Sequence, residues 1–323
     1  MACEHRGGFP LRLRCHDVRA NVVVRPSATP AKASELKPAP FDYQAPATLP
    51  EAINLLASHP DATVIAGGQS LMPVLAFRLA TPSLLVDLRR VSGLNEIAID
   101  ESGIRLGALV RWRDIERDPR LAQGHPLLRE AASHVAHYQV RNRGTIGGSL
   151  AHADPAAELP GVAVTCDAEI TLVGPAGSRI VPAGEFFTGA LSTVRRPDEI
   201  VTELHLPYWP HDRRWGFREF ARRQGDFALA GILLFYDEDR HGTVGDAHVG
   251  VIGACHRPHR LTNVEALLNG GVVDDDLIRR AAATATEDVD PPDDLHGDRA
   301  YRRGLVNTLV QRALRAAAQK RDT

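Results

Sequence analysis

The chain has 323 residues, of which 44% are hydrophobic and 24% charged, and a formal net charge of −2. That length suits two domains or more, the composition is that of an ordinary globular protein, and the charge lacks the basic excess of a general nucleic-acid binder. No apolar run approaches a membrane span and the N-terminus lacks the apolar core of a signal peptide, so the expected compartment is the cytoplasm.

Residues 1–36 hold scattered Arg, Pro and Ala without a sustained period and read as a disordered extension or as the product of a misplaced start codon. Thr48 caps an expected helix carrying Ala52, Leu55 and Leu56 on one face. A strand follows at Val64–Ala66, then a short helical piece from Leu71 to Leu79 interrupted by Pro73, then a strand at Leu84–Leu88. This alternation predicts a small α/β unit. A hairpin is expected over Glu96–Ile99 and Ile104–Gly107, and helices at Trp112 and from Leu127 to Ala136. Asp154-Pro155 has the form of an N-cap and first helical position, which predicts a helix over Ala156–Val164. Beyond it lie a hairpin (Ala168–Val173 with Ser178–Pro182) and a strand at Glu199–Leu206. Pro207-Tyr208-Trp209-Pro210 has the look of a boundary. The remainder predicts three antiparallel strands (Gly216–Ala221, Leu229–Tyr236, Val244–Ile252), then helices at Thr262–Leu268, Asp275–Thr286 and Tyr301–Gln319. The fold class is therefore α+β.

Two stretches carry chemistry. Val64-Ile65-Ala66-Gly67-Gly68-Gln69-Ser70-Leu71 is an apolar run breaking into a glycine pair, and Gly144-Thr145-Ile146-Gly147-Gly148-Ser149 is a second pair flanked by hydroxyls. Glycine pairs can take φ > 0 and turn successive N–H groups toward an anion, although most merely make turns. Two such loops suit a ligand with two phosphates. Neither has the spacing of a Rossmann or P-loop fingerprint. His134 and His137 are spaced like a chelating pair but lack an evident third ligand, so packing or surface roles are expected. Cys3, Cys15, Cys166 and Cys255 form no cluster spacing. They are expected to be inert thiols, with no metal site in the chain.

Together, Ala66-Gly67-Gly68-Gln69-Ser70 and Thr145-Ile146-Gly147-Gly148-Ser149 resemble the two flavin-loop motifs of the molybdenum hydroxylase family. The similarity is to its separate FAD-binding medium subunit, of the carbon monoxide dehydrogenase and xanthine dehydrogenase types. It runs from about Lys37 to about Ala318 and includes Pro40-Phe41-Asp42-Tyr43 and Ala221-Arg222-Arg223-Gln224-Gly225-Asp226-Phe227-Ala228. The resemblance implies a two-part FAD-binding domain over 37–208, a small α/β unit plus a larger α+β unit, and a C-terminal domain over 213–319. It implies that Val64–Leu71 (Val64, Ile65, Ala66, Gly67, Gly68, Gln69, Ser70, Leu71) and Gly144, Thr145, Gly147, Gly148 and Ser149 wrap the FAD pyrophosphate and ribityl. Glu158 matches a carboxylate that contacts the flavin; the alternative is a solvated helix charge. Val201 and Arg218 match further contact positions, Arg218 where relatives have Lys, and Asp226 belongs to a Gly-Asp-Phe motif or a structural turn. It further implies an oxidoreductase subunit passing electrons from two [2Fe–2S] clusters on a small subunit, fed by a molybdenum-cofactor large subunit, through FAD to an acceptor. A dimer of heterotrimers is the implied assembly. A self-contained flavin-dependent oxidoreductase, or a module that has lost FAD, is the alternative.

Overall fold

The computed structural model describes residues 37–319. The extension expected over 1–36 lies outside them.

The chain first builds a small parallel sheet from β1 (Asp42–Gln44), β2 (Thr63–Ile65) and β3 (Leu84–Asp87), in the order β1-β3-β2. Helix α1 (Leu49–Ser58) starts with a complete capping box, Thr48 with Glu51, and buries Ala52, Ile53 and Leu56. Those side chains meet Leu84 and Val86 in the core of this unit. Helix α2 (Leu71–Ala76) sits between β2 and β3. β1 escapes the sequence reading because it has three residues, all exposed, and no apolar alternation to reveal it.

The larger unit is a five-stranded antiparallel sheet, ordered β4-β5-β10-β6-β7. Its strands are β4 (Ile97–Asp100), β5 (Gly103–Gly107), β6 (Glu169–Gly174), β7 (Gly177–Pro182) and β10 (Ile200–Pro207), with a small β8 (Phe187–Gly189) and β9 (Ser192–Thr193) ribbon beside it. Helices α3 (Trp112–Arg117), α4 (Pro119–Gly124), α5 (Pro126–His134), α6 (Tyr138–Arg141), α7 (Ile146–His152), α8 (Glu158–Thr165) and α9 (Ala183–Phe186) cover it. The predicted helix start at Asp154-Pro155 is displaced to Glu158. Asp154 instead accepts from Ala156 N at 2.8 Å in a side-chain turn. The Pro155 carbonyl, which a helix there would use internally, accepts from Gly253 N at 2.9 Å.

The last region is an antiparallel sheet of β11 (Arg214–Phe220), β12 (Ala230–Glu238), β13 (Val244–Ile252) and a two-residue β14 (His259–Arg260), one strand more than expected. Helices α10 (Thr262–Leu268), α11 (Asp275–Asp288) and α12 (Arg299–Gln319) pack against it around Ile232, Leu234, Val249, Val251, Val310 and Leu314. Its other face shares one apolar core with the larger unit, since Phe217, Leu233, Phe235 and Ile252 join Leu127, Leu159 and Val162. The segment Pro207–Pro210 is a packed joint. Trp209 is buried, with its ring 4.4 Å from His125 and 5.3 Å from Phe235.

Candidate cofactor site

β2 delivers the first glycine segment, and α2 takes it away. Gly68 has φ +71°, which a side chain would resist. Gly67 has no room for one: a Cβ there would collide with the Arg143 carbonyl and lie 2.9 Å from Gly144 Cα. The two glycine segments, far apart in sequence, are thus in backbone contact. Met72 N donates to Gly68 O at 3.1 Å and the Gln69 amide to Gly67 O at 3.1 Å. The backbone N–H groups of Gly67, Gly68, Gln69, Ser70 and Leu71 find no acceptor among the described residues. Ser70 is exposed and the other four residues are half-buried, so this row of N–H groups is open to an anionic ligand.

The second segment behaves differently. The expectation of a φ > 0 loop fails: residues 146–152 form helix α7, and neither Gly147 nor Gly148 has positive φ. Thr145 is its N-cap, and its hydroxyl accepts from Gly148 N at 3.2 Å. Ile146 N donates to Val110 O at 2.9 Å, Gly147 N to Ala108 O at 2.8 Å, and Ser149 N to Thr145 O at 3.0 Å. All four leading amides are engaged, so no anion nest is left. What Gly147 supplies is a close approach, since its Cβ would lie 2.6 Å from that of Ala108. Gly148 is exposed, with only the Thr145 hydroxyl near the position of a Cβ.

Val201 joins this segment through the sheet: Ala108 N donates to Thr202 O at 2.9 Å, and Gly147 docks on Ala108. Val201 is buried at a bulge in β10. Glu158, at the start of α8, is 9% exposed. Burial, and then the nearby Glu219 charge, push its carboxyl up to about 8, so near neutrality it holds a proton instead of being the ionised acceptor expected from sequence. Arg218 is exposed on β11; it donates to the Phe217 carbonyl at 2.7 Å and stands on the strand face opposite Glu219. Asp226 is exposed in a turn where its N–H donates to Arg223 O at 3.1 Å. His137 packs against Gly225, and His134 is bound to carboxylates, 3.2 Å from Glu219 and 3.6 Å from Glu130. Sequence reasoning did not find Glu219 or its link to His134. The two lie 85 residues apart, and only the packing of α5 against β11 joins them.

Comparison with known proteins gives the family. Residues 39–209 match the family model described as the FAD binding domain in molybdopterin dehydrogenase. Residues 215–317 match the CO dehydrogenase flavoprotein C-terminal domain. The chain belongs to this flavoprotein family. It is 39% identical to the 6-hydroxypseudooxynicotine dehydrogenase complex subunit alpha of Paenarthrobacter nicotinovorans, over 88% of this chain and 97% of that one. It is 34% identical to the carbon monoxide dehydrogenase medium chain of Hydrogenophaga pseudoflava, over 87% of this chain and 98% of that one. Among solved structures, carbon monoxide dehydrogenase from Hydrogenophaga pseudoflava superposes with a TM-score of 0.85 at 34% identity, covering 88% and 99% of the two chains. Quinoline 2-oxidoreductase from Pseudomonas putida 86 gives 0.84 at 40%, with the same coverage. The chain is therefore the FAD-binding subunit of an oxidoreductase of the molybdenum hydroxylase family. The free amides of the first segment and the open face at Gly148 fit that cofactor. Among the described residues no helix is long and apolar enough to cross a membrane.

Proposed function

We propose that FAD lies across the junction of the two glycine segments, and that this subunit relays electrons from iron–sulfur clusters on a partner to an external acceptor. One observation carries the placement: consecutive free amides at Gly67–Leu71 abut the backbone of Arg143-Gly144. The amide row holds the diphosphate, with Val64, Ile65 and Ala66 leading the chain into it. Thr145, Ser149 and the bare face of Gly148 border the ribityl side. Glu158 and Val201 border the ring side, and Arg218 acts at the margin. FAD supplies exchange between one-electron and two-electron carriers; the protein holds and orients it.

The partners in this reading are a two-cluster iron–sulfur small subunit and a large subunit with the molybdenum cofactor, assembled as a dimer of heterotrimers in the cytoplasm. The relatives support it: one is named as a subunit of a dehydrogenase complex, others as medium chains or subunits. The test is co-expression with those two subunits. The three chains should co-purify, and substrate should reduce FAD in the assembly but not in the isolated chain, while dithionite reduces both. Substrate reduction of the isolated chain at a turnover-competent rate would overturn the relay and leave a self-contained flavoenzyme.

A further inference from the structure

Ala136, just past the end of α5, has φ +43°, a left-handed backbone conformation that a side chain resists. The peptide carbonyls on either side of it are held by one group. Arg141 Nη1, from α6, donates to Val135 O at 3.0 Å and to Ala136 O at 2.9 Å. Those carbonyls belong to the two peptide planes that Ala136 joins, so one guanidinium nitrogen fixes the strained residue from both sides. Arg141 is itself anchored, with its Nε 3.1 Å from Glu116 of α3 and its side chain mostly buried. The turn it holds is a seat for another. Gly225, after β11, has φ +85°, and a Cβ there would collide with the His137 ring and lie 3.1 Å from the Ala136 carbonyl carbon. Ala136, Gln224 and Gly225 line an open cavity of about 320 Å³, together with His134 and Glu219.

The other end of α6 runs into the second glycine segment. Arg143 N and Gly144 N both donate to Val140 O, at 3.1 and 2.7 Å, and the Arg143 carbonyl is the group against which Gly67 lies. Gly144 rests on Trp112 of α3, the helix that also carries Glu116: a Cβ on Gly144 would be 3.0 Å from the indole. A continuous series of contacts therefore joins Gly67 to Gly225 by way of α6, and Arg141 is the side chain that ties α6 back to the end of α5. We propose that Arg141 is a positioning residue for FAD, which couples cofactor binding at the glycine junction to the turn at residues 223–225 and so to the cavity that turn lines. The coupling rests on the placement of FAD given above. FAD held at the junction fixes the Arg143-Gly144 backbone and, with it, the end of α6. Arg141 passes that order to Ala136, and Gly225 settles on the turn so fixed. Without the guanidinium, Ala136 relaxes out of φ +43° and the two ends move independently. Ala136→Gly would keep the same conformation without a brace, since glycine has no Cβ to resist it.

The experiment uses the full chain and measures two things. One is FAD affinity, from flavin fluorescence on titration of the apo-protein; the other is amide hydrogen exchange of residues 223–228 with and without FAD. In the wild type FAD should slow exchange of the turn about fivefold or more. Arg141→Met should lower FAD affinity about tenfold, the size of one lost coupling between groups in contact, and abolish the response of the turn. Ala136→Gly should bind FAD like the wild type, and the Ala136→Gly, Arg141→Met double variant should recover most of the lost affinity. A turn that still responds to FAD in Arg141→Met overturns the coupling. So does an Arg141→Met loss that is as large in the Ala136→Gly background as in the wild type. A wild-type turn indifferent to FAD overturns it too, and leaves the placement of FAD standing if Gly67→Val abolishes binding. Full affinity in Gly67→Val would take down the placement and the coupling with it. Should Arg141→Met fold poorly, Arg141→Lys enters the same cycle: one ammonium replaces two nitrogens, so the response of the turn should weaken, and an unchanged response overturns the coupling.

Discussion

Ala66-Gly67-Gly68-Gln69-Ser70 and Thr145-Ile146-Gly147-Gly148-Ser149 look alike as text, yet the fold uses their backbones in opposite ways. The first leaves five successive amides without acceptors among the described residues and puts one glycine at φ +71°. The second spends its leading amides on Val110, Ala108 and Thr145 and winds into α7. The cause lies in the residue at the N-cap of the helix that each pair adjoins. Thr145 is extended and presents a hydroxyl that caps a helix, whereas Ser70, which precedes α2, is itself in a helical conformation and caps nothing. Two glycine pairs therefore divide the work: one offers charge-seeking donors, and the other offers steric access.

The largest effect should come from the contact between them. Gly67→Val would drive a branched carbon into the Arg143 carbonyl and part the segments. FAD affinity should fall about 100-fold or more, a loss of roughly 3 kcal/mol built from several amide hydrogen bonds. Titration of the apo-protein with FAD measures it, and circular dichroism should stay close to wild type because the clash is between loops. If affinity is retained, the amide row is not the diphosphate site.

Gly148→Val should do less. The new carbon meets only the Thr145 hydroxyl, at 2.9 Å, on an exposed face. We expect about a tenfold loss of FAD affinity through the branches that fill the open side, while the helix persists. Equal losses in the two variants would mean that both segments bind by their backbones, and the division of labour would be wrong.

Much of this arrangement was legible in sequence. The Thr48 capping box, the hairpin over 97–107 and the three long strands of the last sheet all follow from local patterns that tertiary packing does not oppose. The joining of the two glycine segments was suggested by a pair of loops suited to two phosphates, and implied by resemblance. What stayed hidden was set by distant partners. The Asp154-Pro155 start lost to Gly253, about a hundred residues away, and the helical second glycine segment depended on carbonyls of Ala108 and Val110. The weakened acidity of Glu158 was likewise invisible, because a helix-start glutamate is ordinarily solvated, whereas here it is buried on a helix that packs against β12 and β13 of the last sheet.

Glu158 sharpens the comparison from the protein's side, through stability. Burial, and then the Glu219 charge, push its carboxyl in the folded protein up to about 8 from an ordinary value of 4.5. The protonated form suits the folded state, so this stabilisation is complete below about pH 4.5 and is lost as pH rises toward 8. His134, raised to about 9 by Glu130 and Glu219, adds a loss in the same direction between about pH 6.5 and 9. Glu158→Gln should therefore flatten the fall of Tm with pH and leave the variant more stable than wild type at pH 9, even though it disturbs the flavin side. Thermal unfolding across pH 5–9 checks this. A wild-type Tm that does not fall over that range would show the carboxyl to be hydrated and ionised.

The smallest change expected is at the cap itself. Thr145→Val keeps the shape of the side chain and removes the oxygen that accepts from Gly148 N at 3.2 Å. A lost helix N-cap costs about 1 kcal/mol, and Tm should drop accordingly. The same change frees one amide at the start of α7, the kind of donor that the first segment has and the second lacks. If the second segment contributes only access, FAD affinity should hold within about threefold, since the freed N–H faces the space left by the hydroxyl. If affinity instead rises clearly while stability falls, the second segment had been a latent anion site masked by its own cap, and the contrast between the two glycine pairs would reduce to one hydroxyl group.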